Sequence, residues 1–477
     1  MKRSFFISIS LCFCACLNAQ TNHASEEYQW PTDPLVKEKL EQWQNQKFGM
    51  IIHWGLYAVP GIVESWALCS ESWVDRDSTI AYDDFKKWYW GLSKDFNPVN
   101  FNPDQWAKAG KDAGMKYVVF TTKHHDGFCM FDTKQTNFKI SAGPFKNNPK
   151  ADVAKYVFDA FRKNGFMIGA YYSKPDWHSE YYWWPKYATA DRNNNYDIRK
   201  YPWRWNQFKQ FTYNQISELV HNYGSIDILW LDGGWVRPRE TVNAEVLSWG
   251  GPIPDWSQDI NMASIADMAR KAQPGILIVD RTVHGLYENY QTPEQRIPAK
   301  QLDYPWESCM TLGNAWGYVP NDKLKSRTQV IHSLIEIVSK GGSLLLGVGP
   351  KPDGTLPTEV VERLHEIGEW TNKNAEAIYY SSPVVNFKSE NIYFTQNKEK
   401  GIDYAMLCLK DGEPLPQFIE WKNNQPVKGG KIILLETYHE VKWTSDGTIT
   451  RVYLPSSLQK TGKNYSALVF AYSAAGQ

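Results

Sequence analysis

The sequence predicts an α/β fold: a (β/α)8-like, TIM-type barrel followed by a C-terminal antiparallel β-sandwich. Three observations carry this reading. Helical patterns repeatedly close on a glycine and are followed by a short apolar run; those runs end in polar or aromatic side chains; and after about residue 380 the pattern changes to short alternating segments separated by turns.

Each element follows from that punctuation. A glycine just past a helix end supplies the left-handed cap that other residues adopt only at a penalty. Gly114 precedes the apolar run 115–122, Gly165 the run 166–173, Gly224 the run 225–232, Gly275 the run 276–281, and Gly341-Gly342 the run 343–348. With Phe48-Gly-Met-Ile-Ile-His53 as an earlier strand, at least six strands are legible. Between them, segments 104–113, 152–163, 206–223, 261–272 and 323–340 carry apolar residues at helical spacing. Nearly continuous apolar strands alternating with helices imply a parallel sheet covered on both faces. An open doubly wound sheet is the competing arrangement, but no strand is followed by its glycine-rich phosphate fingerprint. A polar or aromatic candidate at nearly every strand end favours a closed barrel with its site at the C-terminal mouth. Residues 30–378 are assigned to this domain and 379–477 to the sandwich, whose strands read as 392–395, 404–409, 431–435, 451–454 and 467–472, with turns such as Lys410-Asp-Gly-Glu-Pro414 between them.

Composition narrows the function. The chain has 477 residues and a net charge of zero, which gives no electrostatic reason to bind nucleic acid or an anionic membrane. Its 22 Trp and 27 Tyr mostly serve a large core, yet flat aromatic faces also suit sugar rings. Residues 1–20 join a Met-Lys-Arg start to a short apolar stretch and predict an export signal cleaved after Ala19, with lipidation at Cys16 as the alternative. No later segment is apolar enough to span a membrane. The expected location is therefore periplasmic, secreted or surface lipoprotein. Of seven cysteines, Cys69, Cys129, Cys309 and Cys408 lie beyond this signal, with spacing that fits neither a zinc site nor a disulfide framework. They are expected to be packing thiols, with one disulfide possible.

The chemistry concentrates at strand ends. The run from Tyr117 ends in Lys123, His124, His125 and Asp126, and four polar groups after a deep strand are expected to meet a ligand, because unpaired buried polar groups are expensive. Adjacent residues on a strand point to opposite faces; with no chelating spacing, His124 and His125 are expected to hydrogen-bond a polyhydroxylated ligand rather than hold a metal. His53 closes the first strand. Asp232 closes another and is followed by Gly233 and Gly234, expected to let a ligand approach the backbone; capping a following helix is the structural alternative. Glycoside hydrolysis would need a second carboxylate. Glu288, Glu294 and Glu307 are the candidates, and each equally suits a charge on a surface loop.

Five segments together resemble one family. Lys47-Phe-Gly-Met-Ile-Ile-His-Trp-Gly-Leu-Tyr57, Thr122-Lys-His-His-Asp-Gly-Phe128, Leu229-Trp-Leu-Asp-Gly-Gly234, Asn314-Ala-Trp-Gly-Tyr318 and the run from Val338 to Gly354 resemble, in order, the motifs of glycoside hydrolase family 29 α-L-fucosidases. The resemblance implies a retaining exo-α-L-fucosidase that takes a fucosylated glycan and needs no cofactor or metal. It implies Asp232 as nucleophile; His53, His124, His125, Tyr171, Trp230 and Arg281 around fucose; and Trp316 with Tyr171 and Trp230 about the C6 methyl. The family's Glu-Trp pair after the first strand corresponds to Glu64 and Trp66, with Glu71 and Trp73 as the alternative. Tyr290-Gln-Thr-Pro-Glu294 resembles the acid/base context, which selects Glu294 over Glu288. A hydrolase of a related sugar such as an α-L-galactoside, and a non-catalytic fucose-binding protein on the same scaffold, are the alternatives.

Overall fold

The computed structural model describes residues 28–71, 74, 76–460 and 462–474. The expected export signal, Cys16 and Trp73 lie outside them.

Seven parallel strands form the first sheet: Phe48–Ile52 (β1), Tyr117–Lys123 (β2), Met167–Ser173 (β3), Ile228–Asp232 (β4), Leu277–Asp280 (β5), Glu307–Thr311 (β6) and Ser343–Val348 (β7), in the spatial order β5-β4-β3-β2-β1-β7-β6. The helices Pro34–Gln46 (α1), Tyr82–Gly91 (α2), Pro103–Asp112 (α3), Val153–Lys163 (α4), Pro202–Asn222 (α5), Ala244–Ser248 (α6), Met262–Ala272 (α7), Arg327–Ser339 (α8) and Thr358–Lys373 (α9) accompany it. Gly114, Gly165, Gly224, Gly275 and Gly341 all take positive φ, between 75° and 88°, as their place after helix ends demands.

The continuous apolar strands are explained by two cores. Residues alternate about each strand, so Ile51, Val119, Ile228, Val279 and Leu345 fill the barrel interior, while Met50, Ile52, Val118, Phe120, Leu229 and Leu346 pack outward with helical residues. On α1, Val36, Leu40 and Trp43 share one face at helical spacing and join the interior cluster.

One expectation is corrected here. The strand Glu307–Thr311 escaped the sequence reading because its pattern, Glu-Ser-Cys-Met-Thr, is too polar to stand out from a loop; Glu307 is therefore fully buried on a strand, not a surface-loop charge. The parallel sheet has seven strands among the described residues, in keeping with a barrel-like rather than a regular eightfold arrangement. Between β5 and β6 runs an irregular segment that bridges to both, through Val279 with Glu288 on one side and Gln291 with Trp306 and Glu294 with Cys309 on the other.

Beyond the barrel, Ser382–Ser389 (β8), Ile392–Asn397 (β9), Ile402–Cys408 (β10), Phe418–Lys422 (β11), Ile432–Leu434 (β12), His439–Val441 (β13), Trp443–Ser445 (β14), Ile449–Tyr453 (β15) and Ala467–Tyr472 (β16) form antiparallel sheets of six and three strands about a core including Phe394, Trp421, Val452 and Phe470. The six-stranded sheet docks on the barrel, where Trp370 Nε1 donates to the Ala467 carbonyl and His332 bonds to that of Ser466. Cys69, Cys129, Cys309 and Cys408 are buried free thiols, so the possible disulfide is not formed among them.

Candidate active site

The C-terminal ends of the strands open into a cavity of about 410 Å³. Asp232 stands at its centre. Its Oδ1 accepts from Arg281 Nη1 at 2.7 Å and its Oδ2 from the Tyr171 hydroxyl at 2.7 Å, so it does not cap a helix. Burial would raise the carboxyl, but the Arg281 charge, His125, Tyr171 and the Gly233 N–H outweigh it and hold Asp232 well below the usual carboxylate range. At neutral pH it is an anion whose position is fixed from two sides.

Arg281 follows β5, and its guanidinium is a two-pronged clamp. Nη2 donates to Glu294 Oε2 at 2.9 Å and Nε to Thr292 Oγ1 at 3.0 Å. Asp232 and Glu294 thus share one guanidinium. Glu294 also accepts from Trp316 Nε1 at 3.2 Å, and its side chain is 46% exposed against 18% for Asp232. Glu288 is elsewhere: fully buried, it pairs with His284 Nδ1 at 2.6 Å, accepts from the Thr282 N–H at 2.8 Å, and does not line the cavity.

His124 and His125 both line the cavity, their ring centroids 4.2 Å apart. The expectation of opposite faces fails because β2 ends at Lys123 and the chain turns there, so strand alternation no longer applies. His124 Nδ1 lies 2.5 Å from Ser65 Oγ, and His125 Nε2 lies 3.8 Å from Asp232 Oδ2. Burial first, and then Lys123, push His124 down to about 4 against the opposing pull of Asp232, and His125 falls well below its ordinary value for the same leading reason. Both are neutral at pH 7, each able to donate one hydrogen bond and accept one. His53 Nδ1 and His125 Nδ1 are buried without a hydrogen-bond partner among the described residues, as groups awaiting a hydroxylated ligand should be.

The other two polar residues of this stretch, Lys123 at the end of β2 and Asp126 beyond it, do not line the cavity. Lys123 pairs with Asp176 at 3.2 Å, and Asp126 accepts from Tyr89 at 2.8 Å and from the Phe128 N–H at 3.0 Å. Gly233 and Gly234 serve the protein too: a Cβ on them would meet Pro175 at 2.2 Å and Thr282 Oγ1 at 2.0 Å.

Tyr171, Trp230, Trp316, Glu64 and Trp66 all line the cavity. Tyr171 and Trp230 stack with centroids 5.2 Å apart, and Trp316 leans on His53 at 5.1 Å. Glu64 is buried and accepts from the Gly317 N–H at 2.7 Å. Glu71 instead forms an ion pair with Arg192, which favours Glu64 as the pocket residue. His124, His125 and Asp232 bring ligand atoms within 4.8 Å of one another, a grouping the sequence spacing did not suggest; both Asp232 oxygens already accept protein hydrogen bonds.

Sequence reasoning missed Arg192, Trp235, Glu245, Trp249, Thr292 and Arg296 on the cavity wall. Trp235 carried a signal as the residue after Asp232-Gly-Gly, and Thr292 as part of Tyr290-Gln-Thr-Pro-Glu294; the others come from long connections without periodic pattern.

A family model described as "Alpha-L-fucosidase" matches residues 15–376. This chain belongs to the α-L-fucosidase family. Its similarity to individual members is spread over most of its length. A putative α-L-fucosidase of Caenorhabditis elegans is 27% identical over 79% of this chain and 75% of its own, and the plasma α-L-fucosidase of Homo sapiens is 27% identical over 80% and 79%. Among solved structures, α-L-fucosidase isoenzyme 1 from Paenibacillus thiaminolyticus superposes with a TM-score of 0.74 at 29% identity, covering 92% of this chain and all of the other. A trapped covalent intermediate of a Bacteroides thetaiotaomicron α-L-fucosidase gives 0.70 at 25% identity, covering 92% and 96%. The α-L-fucosidase family is one of glycoside hydrolases, and the chain is a retaining enzyme of that kind.

Proposed function

We propose that the chain removes terminal α-L-fucosyl residues from fucosylated glycans, with Asp232 as nucleophile and Glu294 as acid/base. The observation that carries this reading is the single Arg281 guanidinium holding both carboxylates at the cavity. A retaining glycosidase needs its pair close together, about 5 Å apart, with one member anionic and the other open to the departing group. Asp232, ionised and immobilised, suits the attack on the anomeric carbon. Glu294, half exposed at the rim, suits protonation of the aglycone oxygen and then deprotonation of the water that releases fucose.

His53, His124 and His125 would hold the sugar hydroxyls as neutral donors and acceptors, with Glu64 and Trp66 beside them. Tyr171, Trp230 and Trp316 would form the wall around the C6 methyl, where a hydroxymethyl group would bury an unpaired hydroxyl. Such a wall discriminates by ~100-fold. Residues 30–378 would form the catalytic domain and 379–477 the appended one. The first twenty residues support export, with cleavage after Ala19 or lipidation at Cys16; mass spectrometry of the mature N-terminus distinguishes these. No described helix is long and apolar enough to cross a membrane.

The test is hydrolysis of an aryl α-L-fucoside followed by NMR of the first-formed sugar. Release of the α-anomer supports the reading; the β-anomer, or no turnover by folded protein, overturns it. Dialysis against a chelator should leave activity unchanged, and loss restored by one added divalent metal would assign His124, His125 and Asp232 a metal role instead.

A further inference from the structure

One buried acid is left over. Glu307, first residue of β6, is fully buried inside the barrel, where an apolar side chain would pack without the penalty of desolvating a carboxyl. Burial pushes its carboxyl up to about 7, against the opposing pull of Tyr117, Trp230 and Arg281. Its two oxygens divide their work: Oε2 accepts from the Tyr117 hydroxyl at 2.6 Å, and Oε1 accepts from Trp230 Nε1 at 3.2 Å. Tyr117 is in the barrel interior and does not line the cavity, whereas Trp230 does.

Trp230 is the hub between this acid and the reacting pair. Its ring stacks with Tyr171 and carries the Arg281 guanidinium 4.4 Å from a ring centroid. Tyr171 and Arg281 supply the two side-chain hydrogen bonds to the Asp232 carboxylate, and Arg281 also holds Glu294. An indole fixed only by packing can slide or rotate in its own plane; a hydrogen bond at its single N–H removes that freedom.

We propose that Glu307 is a positioning residue for the fucosidase reaction, anchoring the Trp230 indole from beneath so that Tyr171 and Arg281 hold the two carboxylates in register. The inference rests on the assignment of Asp232 and Glu294. Its requirement is a hydrogen-bond acceptor at position 307, not a charge.

The experiment compares Glu307→Gln, whose amide oxygen can still accept from Trp230, with Glu307→Met, a near-isostere lacking a strong acceptor. On an aryl α-L-fucoside, Met should lower kcat by about 10- to 100-fold, the scale set by small misplacements of reacting groups, while Gln stays within about threefold of the parent. The same Glu307→Met change in a Trp230→Phe background should cost little more, because the N–H it serves is gone. Incorporated 5-fluorotryptophan supplies a second readout: the Trp230 resonance, assigned by its loss in Trp230→Phe, should shift in Glu307→Gln, and this holds even if Met does not fold. A lowered Tm with unchanged kcat in Met, an equal loss in both backgrounds, or an unmoved Trp230 resonance in Gln overturns the proposal. Failure of the parent enzyme to turn over the fucoside would instead sink the underlying assignment.

Discussion

At the scale of single residues, charge and position decide the roles. Asp232 is held ionised by Arg281 and Tyr171, so Asp232→Asn should lower turnover on the order of 10⁴-fold or more without unfolding the barrel. Azide should restore part of that activity and give a fucosyl azide of inverted configuration; near-parental activity in Asp232→Asn would remove it as nucleophile. Glu294→Ala should slow substrates with poor leaving groups by about 10²- to 10⁴-fold and activated aryl fucosides less in the first step, with azide giving the retained product. Glu288→Ala is the control: it breaks the His284 pair and should cost stability, while the leaving-group dependence stays flat. The reverse pattern would move the acid/base to Glu288. Much of this constellation was legible because strand-end residues announce themselves after apolar runs, as Asp232 and Arg281 do. That His124 and His125 both face the cavity was not, since a chain that leaves its strand at Lys123 leaves the period-two rule as well.

Individual elements show the same division. Five strands with glycine-capped predecessors and β1 stood out in the sequence, whereas β6 hid because its inward residues, Glu307, Cys309 and Thr311, are a carboxylate, a thiol and a hydroxyl. Helix starts were less visible: α5 begins at Pro202 rather than near 206, where proline fixes the first turn. One strand position controls the pocket directly. Gly347 of β7 lies beneath Trp316, and a Cβ there would meet the indole at 2.7 Å. Gly347→Ala should therefore displace Trp316 and reduce kcat/KM about tenfold, equivalent to about 1.4 kcal/mol, at the lower end of overpacking penalties. A crystal structure of the variant with Trp316 unmoved, together with unchanged kinetics, would contradict this.

For the whole molecule, acid should be the sensitive direction. His53, His124 and His125 are buried neutral, with folded-state values below the ordinary 6.5. The unfolded chain binds protons first as pH falls, so the stability these sites contribute is present above about 6.5 and is lost as pH falls below it, for His124 on the way towards about 4. The urea midpoint should fall over that interval, and His124→Asn should flatten the fall; a midpoint independent of pH from 7 to 4.5 would refute it. The six-stranded sheet shares its core with the barrel's helices, because Tyr404, Met406 and Val469 join that core. A chain ending at residue 378 should expose that face and bind a hydrophobic dye. The irregular segment between β5 and β6 has a different consequence. Since Glu294 is bridged to Cys309, the proposed proton donor is part of the cylinder's wall and not of a loop suspended above it. Substitutions in the long connections that carry Trp249 and Arg192 to the cavity can then change its wall while Glu294 keeps its place, whereas a one-residue deletion between 288 and 294 would unzip the wall itself. Recognition of what leaves and chemistry on what stays are thereby free to diverge separately.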